Sequence, residues 1–580
     1  MTTGLAQGSH SNSTGHHLAL LAVLCVAAFV RFRGIGFGLP NPECRPDEAH
    51  LIRTALRFSS GDLNPHMFNY PTLYMYVLFF LYGCYYLLGT LSGRYSSRTD
   101  FLTEYAIDPS NFHLIDRAIS ATLGIATVWL VYLICARSVD RRTGLVAALF
   151  LALTHLHVRD SHFGVTDVPL AFLIMCSVLF ISRIQAHPTR TNYLLAGIFA
   201  GLAMSTKYSG LFLVVPLLLC HVSLVRPLYV SVLGSLIDGR ILVFALGLVF
   251  AFLAGTPFAL IDFRTFLSGV LFEARHLSSG DGIELGRGWW YHLRFTLWHG
   301  LGWSLLVASL VGLFILARRS PRTALVLWSF PMVYYAIAGK GLTVFLRYMI
   351  PVVPFLCIAA AVSVNDLADV IARGRSSYLK QGATVVLAGL IVFPSAHNVI
   401  RSNSLLRTPD SRLLATNWAQ SHLKGHSSVY QTGGWERLQL PETRESLKRT
   451  SEPASGAIGE MKAEMDRIRA DHQEAKQIQV FEEWTYDAQS RKFAFGNEIR
   501  HDRPRYIITA SSPLLARNEI PAGIRGLLEE SYRLMKSFHV TEIDRKDNFF
   551  DQQDAFYLPF AGFQDIQRPG PNIDIHERAD

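Results

Sequence analysis

The stretch PNPECRPDEAHLIRTALRFSSGDLNPHMFNYPTL, residues 40–73, decides how the chain is read, because it is dense in charge and lies between two apolar runs. Asp47 and Glu48 are adjacent carboxylates just after Pro46. His50, Arg53 and Arg57 follow three and four residues apart, a spacing that puts them on one face of a helix. The backbone N–H groups that open such a helix favour a carboxylate there. The pattern predicts a short amphipathic helix at a membrane surface. Two readings of its charges stay open on this stretch alone: a capped surface helix with solvated charges, and a catalytic loop.

The surrounding chain is apolar. Half of its 580 residues are hydrophobic and only 17% are charged, whereas soluble domains carry about 25%. Repeated apolar runs of about 17–25 residues predict a polytopic α-helical membrane protein. The net charge of +9 comes from basic residues in short loops between apolar runs, the positive-inside pattern. It is therefore no sign of a nucleic-acid partner, and membrane lipids are the expected surroundings. Six of the seven cysteines lie within apolar runs, Cys44 being the exception. No disulfide framework or zinc spacing is present. The first run, 17–37, ends in Arg31, Arg33 and Gly-rich sequence without a small-residue cleavage site. That predicts a retained helix rather than a removed signal peptide.

Residues 1–16 are rich in Gly, Ser and His and are expected to be disordered. The apolar run 70–91 is long enough to cross a bilayer, but a crossing there creates a conflict. The loop ARSVDRRTG (136–144) belongs in the cytoplasm by its arginines, and the loop 155–167 is external if it faces the first loop. Both hold only if 70–91 does not change sides, which predicts a juxtamembrane or re-entrant helix. Further spans are expected near 113–136, 143–158, 167–185, 191–206, 208–225, 240–258, 293–317, 322–338, 345–366 and 381–400, giving about eleven with the first. An odd number puts the termini on opposite sides. Arg318, Arg319, Arg322, Arg373, Arg375 and Lys380 then fall in cytoplasmic loops. A long external loop, 259–291, carries Glu273, Arg275, His276 and Asp281, with Trp289 and Trp290 suited to the interface.

After residue 402 the composition becomes that of a soluble domain. A helix is expected over 411–423 and strands over 427–431, 505–510 and 538–543. A charged helical insertion is expected at about 451–477, with an apolar stripe at Met461, Met465 and Ile468. The expected fold is thus a polytopic helical membrane domain over 17–401, with a first external loop at 37–112. A small extracytoplasmic α/β domain follows over 402–580.

Charges near a bilayer are costly, so each needs a reason. After Asp47 and Glu48, a second acidic site is VRDSHFGVTD, with Arg159, Asp160, His162 and Asp167. Asp167 could instead cap the next helix. Lys207 in STKYSGLF and Arg347 in FLRYMIPVVPF stand at ends of apolar runs, as does Arg117 in FHLIDRAIS. Each alone reads as an interface anchor. On the expected topology, however, they converge with the acids on one face of the membrane. Cations at that depth suit a phosphate, and a nearby carboxylate suits a general base acting on an acceptor hydroxyl.

The order RPDE, NYPTLYMY, R-x-x-S-A-T-L-G (117–124), VRDSHFGVTDVPL, TKYSGL and RYMIPVVPF resembles the GT-C superfamily of membrane glycosyltransferases. It is most similar to the bacterial branch related to the protein O-mannosyltransferases and lipid A aminoarabinose transferases. The resemblance covers about residues 17–400 and extends to the tail FAGFQDIQRPGPNIDI. It implies inverting transfer of a monosaccharide from a polyprenyl-phosphate donor to an acceptor hydroxyl on a lipid, a glycan or a protein. By the same resemblance Asp47, accompanied by Glu48, is the catalytic base, and Lys207 and Arg347 hold the donor phosphate. Arg117 is grouped with these cations, and Asp167, Arg159 and His162 make the second acidic site. Glu273 and His276 mark the acceptor region. In some members the position of Asp167 helps bind a divalent metal. Here a single Asp stands without a D-x-D pattern, so no cofactor is fixed by the sequence. A multi-pass protein of a bacterial inner membrane, with a periplasmic C-terminal domain, is the simplest expectation. The competing class is a transporter or flippase of a lipid-linked sugar, which would place its charges at the bilayer midplane in repeated halves. No repeat is present.

Overall fold

The computed structural model describes residues 5–225, 238–443, 457–472, 478–480, 485–487, 492–495, 498–500, 502–514, 520–541 and 547–579. They divide into two compact units. One comprises residues 1–33, 67–76 and 117–401, and the other 34–66, 77–116 and 402–580. The first external loop thus groups with the C-terminal segment rather than with the helices that flank it in sequence.

The first unit is helical. Among the described residues of the chain, six helices are long and apolar enough to cross a membrane by length and composition. They are Gly15–Phe32, Leu73–Leu91, Ser110–Ser138, Asp167–Ala186, Leu346–Ile371 and Ser377–Leu405. A seventh is obtained if Gly288–Leu301 and Trp303–Arg319, bent by 110°, are one broken span. The break falls at Gly302, whose φ of 84° lies in the left-handed region. The sequence expectation of about eleven spans counted shorter pieces as well. Arg190–Thr206 and Gly239–Gly255 have 17 residues each, and Arg141–Leu153 has 13 before the chain breaks at Thr154. Pro321–Lys340 is long enough, yet fails by composition. The helix that opens the chain spans Leu5–Phe32. It starts within the segment expected to be disordered and ends before the close of the apolar run 17–37.

Small residues set the packing. Gly197 and Gly201, one turn apart on Arg190–Thr206, face Gly239–Gly255. A Cβ on Gly197 would stand 2.2 Å from the Phe244 carbonyl oxygen, and one on Gly201 2.2 Å from that of Leu248. From the other side, a Cβ on Gly247 would stand 2.9 Å from the Leu194 carbonyl oxygen. This is the close backbone approach that small-x-x-x-small patterns permit where water supplies no hydrophobic drive. A buried cation is accommodated similarly. The Arg31 guanidinium donates to the carbonyls of Ala27, Leu151 and Ala152, to Ser161 Oγ and to His157 Nδ1. Gly124 leaves the room, since a Cβ there would come within 2.6 Å of Ser161 Oγ and 3.0 Å of Arg31 Nε.

Several helix ends are tied together by charged and polar side chains. Arg142 and Lys380 both reach Asp369, each at 2.7 Å, Arg319 pairs with Asp366, and Gln185 donates to the Arg322 carbonyl at 2.8 Å.

The second unit is built on a five-stranded mixed sheet. Its order is Gln479–Val480, Ser428–Gln431, Tyr506–Ser511, Asn572–Arg578, Tyr532–Phe538. The first three strands run parallel, and the last two pairings are antiparallel. The helix Ser411–His422 covers one face, burying Ala415 and Ala419 with Val429, Ile508, Ile573 and Ile575. A three-stranded antiparallel sheet, Thr485–Asp487, Lys492–Phe495 and Glu498–Arg500, lies beyond the expected insertion. The strand expected over 538–543 lies instead at Tyr532–Phe538; 542 and 543 are outside the described residues. Within the expected insertion at 451–477, the helix Ala457–His472 is described, with Met461 and Met465 buried.

Replacing Gly201 by Leu should lower the thermal midpoint of the purified protein, at a cost of about 1–3 kcal/mol or more, because a backbone oxygen rather than a movable side chain is in the way. Gly239→Leu, at an open position, is the control. Equal midpoints for the two would disprove the packing account.

Candidate functional site

In the first unit, the long helix Asp167–Ala186 begins at Thr166, whose side chain makes no cap. Asp167 is in the first turn, but its carboxylate is turned to side chains instead of backbone N–H groups. Its Oδ1 accepts from Lys207 Nζ at 2.7 Å, and its Oδ2 lies 4.0 Å from Arg347 Nε. Lys207 stands at the C-terminal end of Arg190–Thr206, and Arg347 on the short helix Leu346–Val352. Both cations are backed by rings. Lys207 Nζ is 5.0 Å from the Tyr348 ring centre, and the Arg347 guanidinium is 4.2 Å from that of Phe345. The capping and snorkelling readings of Asp167 and Lys207 are therefore superseded: one buried carboxylate bridges two cations.

Glu273 and His276 belong to this group. They lie on the external helix Phe263–Ser279. Glu273 makes no ion pair among the described residues, and the charges it feels are those of Lys207, His276 and Arg347. Burial raises its carboxyl above the usual range, against the pull of those cations. His276 is raised by its contact with Asp281, 3.6 Å away, with burial opposing. The residues assigned to an acceptor region thus share the surroundings of Lys207 and Arg347. Tyr348, whose ring backs Lys207, was missed in the sequence, although it is the neighbour of Arg347 in RYMIP.

In the expected second acidic site, Arg159 lies 3.5 Å from its neighbour Asp160 and over the ring of Phe163. His162 brings Nδ1 to the Val158 carbonyl at 2.9 Å and Nε2 to that of Arg33 at 3.0 Å. It is a tie between segments. Arg117 is buried on Ser110–Ser138, and its charge is felt by His162.

A divalent metal at Asp167 does not fit this site. Both carboxylate oxygens face cations, and among the described residues no three His, Cys, Asp or Glu side chains cluster as ligands.

In the second unit, the helix Pro46–Arg57 forms as expected, with Pro46 in its first turn. The two adjacent acids point apart. Glu48 is buried and takes His113 Nδ1 at 3.1 Å. It is a structural pair, not a group open to substrate. Asp47 is 38% exposed and lies 3.6 Å from Arg45, which also pairs with Asp554. Asp47, His50 and Arg53 line a cavity of about 540 Å³ whose other walls include Trp435, Gln439 and Asp466. Burial lowers the His50 imidazole, and the Arg53 charge adds to the effect. Arg57 leaves the shared face to donate to Asp62 at 3.2 Å and to the Asn64 carbonyl.

With this geometry in hand, similarity to known proteins can be judged. The family described as dolichyl-phosphate-mannose-protein mannosyltransferase matches residues 84–267. ArnT from Cupriavidus metallidurans in the apo state superposes with a TM-score of 0.52, at 14% identity, over 97% of this chain and 98% of that one. The same protein bound to undecaprenyl phosphate gives 0.50, at 14% identity and the same coverage. The chain thus shares its fold with ArnT. The archaeal oligosaccharyltransferase AglB from Archaeoglobus fulgidus gives 0.46, at 11% identity, over 98% of this chain and 89% of that one. No curated protein sequence matches this one.

Two measurements test the charge group. Asp167→Asn should destabilise the protein by about 3 kcal/mol, since it strands two cations. Asp167→Asn with Lys207→Met should recover part of the loss, and no recovery would refute the pairing. The second concerns pH. Folding raises both Glu273 and His276, so the folded state binds more protons than the unfolded one above their ordinary values of 4.5 and 6.5. Their contribution is present below those values and lost as pH rises through the raised ones. The thermal midpoint should therefore fall with pH across that window, and the Glu273→Gln/His276→Asn variant should flatten the fall. An unchanged slope would exclude these two groups.

Proposed function

We propose that the protein is a membrane glycosyltransferase that moves a monosaccharide from a polyprenyl-phosphate donor to an acceptor hydroxyl, with inversion, on the external face of a cytoplasmic membrane. The observation that carries this reading is the convergence of two cations, Lys207 and Arg347, on one buried carboxylate, Asp167. A donor phosphodiester brings one negative charge to that pair of cations. When the bond from the anomeric carbon to phosphate oxygen breaks, the phosphate leaves as a monoester carrying about −1.5 to −2. Lys207 and Arg347 then stabilise charge that grows in the transition state. Asp47 accepts the proton of the acceptor hydroxyl as its oxygen bonds to the anomeric carbon. Phosphate is already a good leaving group, so no second carboxylate is required as an acid, and Glu48 keeps its structural place. What supports the donor class is the family match together with the fold of ArnT, itself described as bound to undecaprenyl phosphate. In this reading the chain from 402 onward is extracytoplasmic.

The test uses purified protein in nanodiscs with radiolabelled polyprenyl-phosphate sugars and water as default acceptor. One donor should release sugar slowly. Asp47→Asn should reduce release by about 10²-fold or more while donor binding persists. Lys207→Met and Arg347→Met should each weaken donor binding, by about tenfold or more. Release that is unaffected in all three variants would overturn the assignment.

A further inference from the structure

We infer that the cavity beside Asp47 is a pocket for a neutral, hydroxyl-rich acceptor, the end of a saccharide rather than an anionic lipid headgroup or a peptide. The inference rests on the glycosyl-transfer reading above and names its acceptor class. The pocket lies wholly within the second unit. Its walls come from the helix Pro46–Arg57, from loop residues 434–442 and from the inserted helix Ala457–His472. At about 540 Å³ it falls in the range of about 300–1,000 Å³ typical of small-molecule sites.

Its charge argues first. The lining holds four acids, Glu43, Asp47, Glu442 and Asp466, against three arginines, Arg53, Arg437 and Arg469. Much of that charge is spent internally, Arg53 on Glu43 at 3.4 Å and Arg469 on Asp466 at 3.9 Å. A phosphorylated headgroup needs a surplus of cations, and this wall has none. A peptide docking in extended form needs a row of backbone donors and acceptors. This wall offers Pro42, Pro46 and Pro109, which have no N–H to give.

A sugar matches what remains. Each hydroxyl both donates and accepts, and the Gln439 amide does the same from one side chain. Trp435, half-buried, presents an aromatic surface. Its negative face attracts the polarised C–H groups on the flat side of a pyranose as its area is removed from water. Asp47 is on the same wall and exposed enough to meet a hydroxyl.

Equilibrium binding to the full-length protein in nanodiscs tests this without turnover. The probes are labelled neutral trisaccharides (of mannose, glucose and N-acetylglucosamine), a bis-phosphorylated glucosamine disaccharide and a Ser/Thr-rich peptide. At least one neutral trisaccharide should bind in preference to the other two probes. Trp435→Ala and Gln439→Ala should each weaken it by about tenfold or more, as truncation of a pocket anchor does. Trp435→Phe should keep most of the affinity and covers the case of a poorly folding Ala variant. Binding of no neutral saccharide, tighter binding of the phosphorylated probe or the peptide, or wild-type affinity in Trp435→Ala and Gln439→Ala overturns the inference. Saccharide binding without any donor turnover counts against the transferase reading alone. Donor turnover without saccharide binding counts against the pocket alone.

Discussion

Everything chemical in the first unit depends on one carboxylate shared by two cations. Lys207 and Arg347 come from helix ends far apart in sequence, and neither would be tolerable near a bilayer without an anion. Asp167 supplies that anion and holds both cations at one place. On the proposed reading, two cations gathered at one carboxylate are what a phosphate would meet. The rings of Tyr348 and Phe345 serve the same end, since they hold the cations by polarisation without cancelling their charge.

The scaffold around that group is governed by the same scarcity of solvent. Arg31 is fully buried, and the groups that bond it are carbonyls, a hydroxyl and an imidazole. Such an arrangement works only where helices approach closely enough for their carbonyls to converge. Gly124 permits that approach on one helix, and Gly197, Gly201 and Gly247 permit it at the crossing of two others. Backbone proximity thus does for this unit what a large apolar core does for the second, where Ala415, Val429, Ile508 and Ile575 pack a sheet against a helix.

How much of this was legible follows from how local each signal is. The helix after Pro46, the long apolar helices and the helix at Ser411 rest on periodicity and turn residues, and all were readable. The charged residues of the first unit were readable as a set, because a charge beside an apolar run is conspicuous. Their partners were not. Nothing in TKYSGL says that its lysine meets Asp167, forty residues earlier, and nothing in RPDE says that Glu48 goes to His113 while Asp47 stays exposed. The VRDSH segment is a further case, since nothing in it says that His162 reaches the Arg33 carbonyl 129 residues earlier as well as that of Val158. The glycines at 197 and 201 carried a usable signal in their spacing, whereas Trp435 and Gln439 carried none, since only the fold brings them to one cavity.

Glu273 completes the argument about charge. A carboxylate facing Lys207 and Arg347 would, if fully ionised, compete with a phosphate for the cations of the proposed site. Burial acts in the other direction, raising Glu273 and so favouring its neutral form. An incoming phosphate sharpens that preference, because two anions beside one another discourage ionisation of the weaker acid. On the proposed reading the external helix therefore borders the site with a carboxyl whose burial works against its competing with the phosphate for Lys207 and Arg347.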